Sequence, residues 1–216
     1  MIYRLDLLDE IDLKKITKFN TDIFAESKKE DLKNNLVLDD STSGSIINRY
    51  LSQVINSREE FTSIFSLKAI SQIYYLQYQK GMYYDYHIDN NPIGGINAHY
   101  SVTCFLDDPN NYEGGELVVK IGDVETTFKE KAGTCVIYPS GCWHKVNPVT
   151  KGTRNVLVWW MQSNITNSFI RNHVVDYGFV IKNMIGSVEN NHIPDAALNL
   201  QKLENFRINL MREYGV

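Results

Sequence analysis

The sequence predicts a mainly β protein with flanking helices, its middle part folded as a sandwich or jelly roll. Three observations carry this. Between residues 71 and 165, short runs rich in Tyr, Val, Ile, Thr and Trp are separated by Gly, Pro, Asn and Asp, the punctuation of an all-β region. On either side of it, apolar residues recur at helix spacing. Aromatics make up 12% of the 216 residues, with thirteen Tyr, which suits strands and a ring-lined pocket. The expected organisation is an N-terminal helical or mixed support (1–70), a β core (71–165) and a C-terminal helical extension (166–216), integrated as one domain.

In chain order, Ile11, Leu13, Ile16 and Phe19 mark a first helix with one buried stripe. The mixed charge run 26–33 reads as a solvated loop or helix face. Ile46, Ile47, Tyr50, Leu51, Val54 and Ile55 mark a stronger helix, and the Ser-rich turn 40–45 offers it an N-cap oxygen. Eight strands are expected at 73–78, 83–88, 99–106, 115–120, 125–128, 134–138, 144–147 and 155–162. The turns between them hold signals such as Gln79-Lys80-Gly81, Lys131-Ala132-Gly133 and Lys151-Gly152. The tail returns to helix, with Leu198, Leu203, Phe206 and Leu210 apolar and 192–195 as a plausible start. It reads as a helical buttress on the β core.

Composition excludes several classes. With 43% hydrophobic and 22% charged residues the chain is not disordered as a whole. A net charge of −4 argues against a nucleic-acid binder, which would be basic. No run approaches 18 apolar residues, so no membrane helix is expected. The first residues lack the basic and apolar segments of a leader. Three cysteines are too few and too odd in number for a disulfide framework, and a reducing cytoplasm is the expected home. The oligomeric state is not legible.

The chemistry centres on Tyr84-Asp85-Tyr86-His87-Ile88-Asp89. On an extended chain, residues two apart face the same side, so His87 and Asp89 project together. His144 opens another expected strand. Two His and one carboxylate on one barrel face form the facial triad of non-haem Fe(II) sites, which leaves positions for a chelating cosubstrate and dioxygen. A solvent-facing strand would also account for the triplet alone. Arg154 follows ten residues after His144, past the Lys151-Gly152 reversal, and heads the row Val156, Val158, Trp160. An arginine leading an inward row needs an anion, and its fork matches a carboxylate. An arginine snorkelling from the strand end is the plainer alternative. His99, His173, His192 and Asp85 are taken as non-ligands, and the cysteines as small buried hydrophobes. Tyr83, Tyr86 and the loop 90–97 are candidate walls of a substrate groove.

With these residues in view, the chain resembles the iron- and 2-oxoglutarate-dependent dioxygenases, in the prolyl-hydroxylase-like branch called PKHD-type hydroxylases. The resembling stretches are 78–90, 101–117, 132–140 and 144–160, within roughly 71–171. The resemblance implies a double-stranded β-helix (jelly roll, cupin-like) core. It implies that His87, Asp89 and His144 bind Fe(II), and that Arg154 pairs with the distal carboxylate of 2-oxoglutarate. Collagen-type animal enzymes usually present a lysine there, so Arg154 points to other branches. Tyr78 and Tyr84 match tyrosines of the cosubstrate pocket, and Trp160 a tryptophan near the iron. The implied activity hydroxylates an unactivated C–H bond of a peptidyl proline, with O2 consumed and 2-oxoglutarate converted to succinate and CO2, and ascorbate as a possible helper. A free amino acid or another small molecule is the alternative substrate. A non-catalytic cupin-like binder of metal or small acid, and a Zn(II) hydrolase, are the alternative classes. Arg154 favours the oxygenase, because a metal sensor has no use for a carboxylate fork.

Overall fold

Why the middle of the chain becomes a sheet is visible residue by residue in the computed structural model, which describes residues 1–19, 24–29, 32–38, 44–188 and 196–215. The described strands and helices are β1 (Tyr3–Asp6), α1 (Glu10–Phe19), β2 (Phe24–Lys29), β3 (Lys33–Leu38), α2 (Ser45–Ser57), β4 (Leu67–Ile70), β5 (Tyr74–Gln79), β6 (Tyr83–His87), β7 (Tyr100–Phe105), β8 (Glu113–Gly114), β9 (Leu117–Ile121), β10 (Val124–Phe128), β11 (Thr134–Pro139), β12 (Trp143–Val146), β13 (Val149–Lys151), β14 (Thr153–Ser163), α3 (Ser168–Val188) and α4 (Ala196–Tyr214). All eight strands expected between 73 and 162 form, with ends shifted by a residue or two. The helices expected around 11–19 and 46–55 form as α1 and α2. The proposed caps at 40–43 and 192–195 lie outside the described residues, as does His192.

The N-terminal segment supplies more strand than its composition suggests. Most of the described charge run at 26–33 is strand rather than loop or helix face: residues 26–29 belong to β2 and Lys33 opens β3, with Leu32 in the turn before it. β2 pairs with β3 in full register and lies off the main strand path. With β3 as its partner among the described strands, β2 leaves the exposed Glu26 in water, and charge there discourages further pairing.

The contacts group the chain into two units, residues 1–54 with 70–161, and residues 55–69 with 162–216. The first holds an antiparallel sheet of order β1-β11-β7-β14-β5-β3-β6-β12-β9-β10. One buried cluster draws on both ends of that order: Tyr78 and Val156 from the middle, Phe105, Val136 and Tyr138 from one end, Leu117, Val119, Phe128 and Val146 from the other. The sheet therefore curls back over a shared core, as a jelly roll does. Gly133 shows how tightly the edge is closed. Its φ is +88°, and an added Cβ would lie 2.2 Å from the Leu8 carbonyl oxygen. Its own carbonyl accepts the Leu7 and Leu8 N–H groups at 2.9 and 3.1 Å.

The second unit is largely helical. Phe65 meets Phe179 edge-on at 5.8 Å, and Tyr177 meets Phe206 at 5.5 Å. The buried Arg171 donates to the Ile165 and Thr166 carbonyls. No helix among the described residues is long and apolar enough to cross a membrane.

Candidate metal and cosubstrate site

Strand register places the triad. β12 runs antiparallel to β6 with His144 directly opposite His87, and residues so paired project to the same face. The ring centroids lie 4.2 Å apart. The next pair is Val146 with Tyr84, so β6 carries one extra residue. That bulge turns Tyr84 inward beside His87, where the rings stack at 3.6 Å. Simple alternation put Asp85 on the His87 face; the bulge instead leaves Asp85 exposed. The bulge likewise turns Tyr83 away from the cavity, while Tyr86, next to His87 and so on the opposite face, lies under the Lys145 ammonium. Of the expected groove loop, Asn90 and Ile93 do line it.

Each imidazole is oriented by a carbonyl. His87 Nδ1 donates to the Asp85 carbonyl at 2.8 Å, and His144 Nδ1 to the Cys142 carbonyl at 3.0 Å. Because a carbonyl only accepts, the proton sits on Nδ1 and each Nε2 keeps a free lone pair. Both lone pairs converge on Asp89. His87 Nε2 is 3.7 Å from Asp89 Oδ1, and His144 Nε2 is 3.6 Å from Asp89 Oδ2. These gaps are long for hydrogen bonds, but they suit ligands around one ion at about 2.1 Å from each. Among the described residues this is the group of His, Cys, Asp and Glu that could hold a metal. His99 and His173 stand outside it, and Cys104 and Cys135 are buried without taking part. Burial, then the neighbouring His144, pushes His87 down to about 4, so its ring is neutral and ready to ligate near pH 7.

Asp89 is held from behind. Its Oδ2 accepts from the Ser101 hydroxyl at 2.6 Å and from the Trp160 indole N–H at 2.8 Å. Ser101 and Trp160 are cross-strand partners on β7 and β14, and Tyr138 on β11 is the next residue along the same rung. Ser140 Oγ stands 3.0 Å from Ser101 Oγ. The Tyr138 ring lies 5.0 Å from that of His144. Burial, with the Asp89 charge second, pushes the Tyr138 hydroxyl well above its ordinary value.

Arg154 is deeper. It pairs in register with Tyr78, it is 0% exposed, and its guanidinium lies 5.0 Å from the Tyr78 ring centre and 5.3 Å from that of Phe105. None of its three nitrogens makes a hydrogen bond of good geometry, and the Tyr112 hydroxyl, likewise without one, stands near enough to interact with the guanidinium. Burial lowers the Arg154 pKa from its ordinary value. Space for the arginine is made by Gly115, where a Cβ would come within 2.9 Å of Arg154 Cδ. A buried, unpaired guanidinium is costly, and a bound carboxylate is the group whose geometry its fork satisfies. Burial pushes Tyr78 up to about 12, so it offers a protonated hydroxyl beside that anion site. A cavity of about 340 Å³ is lined by the triad together with Tyr78, Tyr84 and Trp160.

The model of the 2OG-Fe(II) oxygenase superfamily matches residues 73–162. A PKHD-type hydroxylase of Picosynechococcus sp. is 41% identical over 124 residues, 57% of each chain. One of Idiomarina loihiensis is 30% identical over 159 residues, 71% of this chain and 72% of its own. The chain belongs to the PKHD-type 2-oxoglutarate–Fe(II) oxygenases. The match spans about half the length of several curated relatives, 57%, 44% and 47% in three of them. The fold is shared with a prolyl hydroxylase from Trichoplax adhaerens, solved with a hypoxia inducible factor peptide fragment. That likeness has a TM-score of 0.58 at 14% identity, over 74% of this chain and 82% of the other.

In this PKHD-type chain the seven residues singled out from sequence fall around one region. Six line the cavity, and Arg154 lies beneath it against Tyr78. Sequence reasoning missed Ser101, Ser140, Tyr138 and Tyr112. The register rung Tyr138–Ser101–Trp160 could have found the first and third once strand pairing was assumed; a lone Ser or Tyr in a strand carries no such signal.

Proposed function

We propose that this chain is an Fe(II)- and 2-oxoglutarate-dependent dioxygenase that hydroxylates an unactivated C–H bond, with a peptidyl proline as the leading substrate class. One observation carries the reading: two imidazole lone pairs and a carboxylate converge on a point beside a cavity, while an unpaired buried guanidinium waits beneath it. The donor set of two nitrogens and one anionic oxygen fits ferrous iron with positions left open. The orphaned Arg154 fits the far carboxylate of a dicarboxylic cosubstrate. Once bound, iron and 2-oxoglutarate supply the oxidation: dioxygen is consumed, succinate and CO2 are released, and one oxygen atom enters the substrate.

The protein's own residues orient and shield. The Asp85 and Cys142 carbonyls hold the imidazole tautomers, and Ser101 and Trp160 hold Asp89. Arg154 fixes the cosubstrate in one direction, with Tyr78 and Tyr84 as walls. Val146, Val158 and Leu117 line the cavity and exclude water. No side chain is required as acid or base. The proline assignment draws support from the solved prolyl hydroxylase with its peptide.

The test is mass spectrometry of proline peptides incubated with protein, Fe(II), 2-oxoglutarate and air. The expected result is a gain of one oxygen on proline with matching succinate. Succinate formed with another substrate, and no peptide modified, would remove proline. No succinate with any substrate would remove the oxygenase reading.

A further inference from the structure

β3 carries the N-terminal segment into the cavity. Its first residues pair with β6, Lys33 with Tyr84 and Asn34 with Tyr83. Its later residues pair with β5, Leu36 with Gln77 and Val37 with Leu76. β3 therefore spans the fork where β5 and β6 part, and Asn35 sits where the pairing changes partner. Strand alternation sorts the side chains. Lys33, Asn35 and Val37 line the cavity, whereas Asn34, Leu36 and Leu38 do not. Two of three inward residues are polar, an unusual choice for an inner strand face.

Asn35 is 1% exposed. Its Nδ2 makes a long 3.4 Å contact to the Leu36 carbonyl, an acceptor only, and with the amide so assigned Oδ1 is the open atom. Its Oδ1 is buried with no hydrogen-bond partner. Leaving such an oxygen unpaired is unfavourable, and a donor from a bound molecule would offset that. Two residues earlier, the Lys33 ammonium stands 5.4 Å from the centre of the Tyr84 ring, the ring that stacks on His87. An acceptor and a cation thus come from residues two apart on one strand face, with Cα atoms about 7 Å apart. The complementary molecule presents an N–H donor and a carboxylate a few atoms apart, which is the pattern of an amino-acid unit.

We propose that the inner face of β3 is the substrate-recognition wall, with Asn35 Oδ1 accepting a substrate N–H and Lys33 binding a substrate carboxylate. This rests on the oxygenase reading and narrows its substrate to a carboxylate-bearing amino-acid unit. The unit is either a free amino acid or an acidic residue beside the modified position of a peptide. Arg154 keeps the cosubstrate, and Lys33, on a different strand, is left for the substrate anion.

The experiment uses the visible charge-transfer band of the anaerobic Fe(II)–2-oxoglutarate chelate in the full chain. The probes are L-amino acids, their amides, and proline peptides with or without an adjacent Asp or Glu. In the wild type, carboxylate-bearing probes should perturb the band at concentrations about tenfold lower than their neutral counterparts, a difference of about 1.4 kcal/mol. Lys33→Met should abolish that preference and Lys33→Arg should keep it. Asn35→Leu should weaken every bound probe, and the 2-oxoglutarate Kd should stay unchanged in all three variants. Whether free acids or peptides respond identifies the source of the carboxylate. A wild-type band with no preference for carboxylate, or no response to any carboxylate-bearing probe, overturns this proposal alone. So does a weakened 2-oxoglutarate Kd in Lys33→Met, which would make Lys33 part of the cosubstrate site. Absence of the band in the wild type removes the oxygenase reading and this proposal with it.

Discussion

Replacing Arg154 with Met should produce a protein that is no less stable in the empty state yet cannot hold 2-oxoglutarate. The side chain is fully buried and all three guanidinium nitrogens lack hydrogen-bond partners. In the empty protein the charge is therefore an expense larger than the about 1–3 kcal/mol of an uncharged group, offset by its contacts with the Tyr78 and Phe105 rings, each about 0.5–2 kcal/mol. Met keeps most of the volume and carries no charge, so the two effects nearly cancel. For a chain of this length about 1 kcal/mol moves Tm by 2–4 °C, and the empty variant should melt within about 4 °C of wild type. Ligand response is the opposite case. A two-point charge-assisted contact at about 1.5–3 kcal/mol per bond amounts to roughly 10²–10⁴ in 2-oxoglutarate Kd. In thermal melts with Mn(II), 2-oxoglutarate at 100 times its wild-type Kd should stabilise the wild type by about 2.7 kcal/mol, and the variant hardly at all. An empty Arg154→Met protein that melts more than about 6 °C lower, yet keeps its 2-oxoglutarate shift, would refute the reasoning, because Arg154 would then be a paired structural residue.

Four further outcomes are expected. Trp160→Phe and Ser101→Ala each remove a donor to Asp89 and should weaken Mn(II) binding about 10–100-fold by isothermal titration; unchanged affinity would leave Asp89 without need of either. Gly115→Ala forces a Cβ within 2.9 Å of both Arg154 Cδ and Val149 Cγ2 at a φ of +68°, and should raise the 2-oxoglutarate Kd as well as lowering Tm. Gly133→Ala, with its Cβ 2.2 Å from the Leu8 oxygen, should destabilise the fold by more than about 1 kcal/mol, read by urea denaturation, while sparing metal affinity. Hydrogen bonds from Lys131 and Thr134 hold the Asp6 carboxyl below its usual range. That stabilisation is present above an unfolded pKa of about 3.9 and is lost as pH falls through the lower folded value. Asp6→Asn should accordingly flatten the acid limb of the stability curve; an unaltered limb would discount the pair.

Much of the site was legible because its chemistry is carried by residue types that are rarely placed inward without cause. Spacing puts His87 and Asp89 on one face and Arg154 at the head of an apolar row, but it is the resemblance to the dioxygenases that implies the full set with His144. What alternation alone misjudged was β6, where an inserted residue exchanges Asp85 for Tyr84 on the inner face; a bulge has no signature in a run of Tyr and Asp. The charge run that enters β2 reads as a solvated loop or helix face because a strand paired on one side only, as β2 is among the described strands, needs no apolar face. Ser101 and Tyr138 stayed hidden for a different reason. Their importance comes from standing beside Trp160 in a rung of three strands far apart in sequence, and register is a property of the folded sheet rather than of any one segment. Asn35 and Lys33 carry no signal of their own in the sequence, because only the fold shows β3 straddling β5 and β6.

The most direct single measurement is an anaerobic crystal structure with Mn(II) and 2-oxoglutarate bound. The account predicts one ion touching His87 Nε2, His144 Nε2 and one oxygen of Asp89, with the far carboxylate of the cosubstrate on the Arg154 guanidinium. An ion bound elsewhere, or a cosubstrate that leaves Arg154 without a partner, would contradict it.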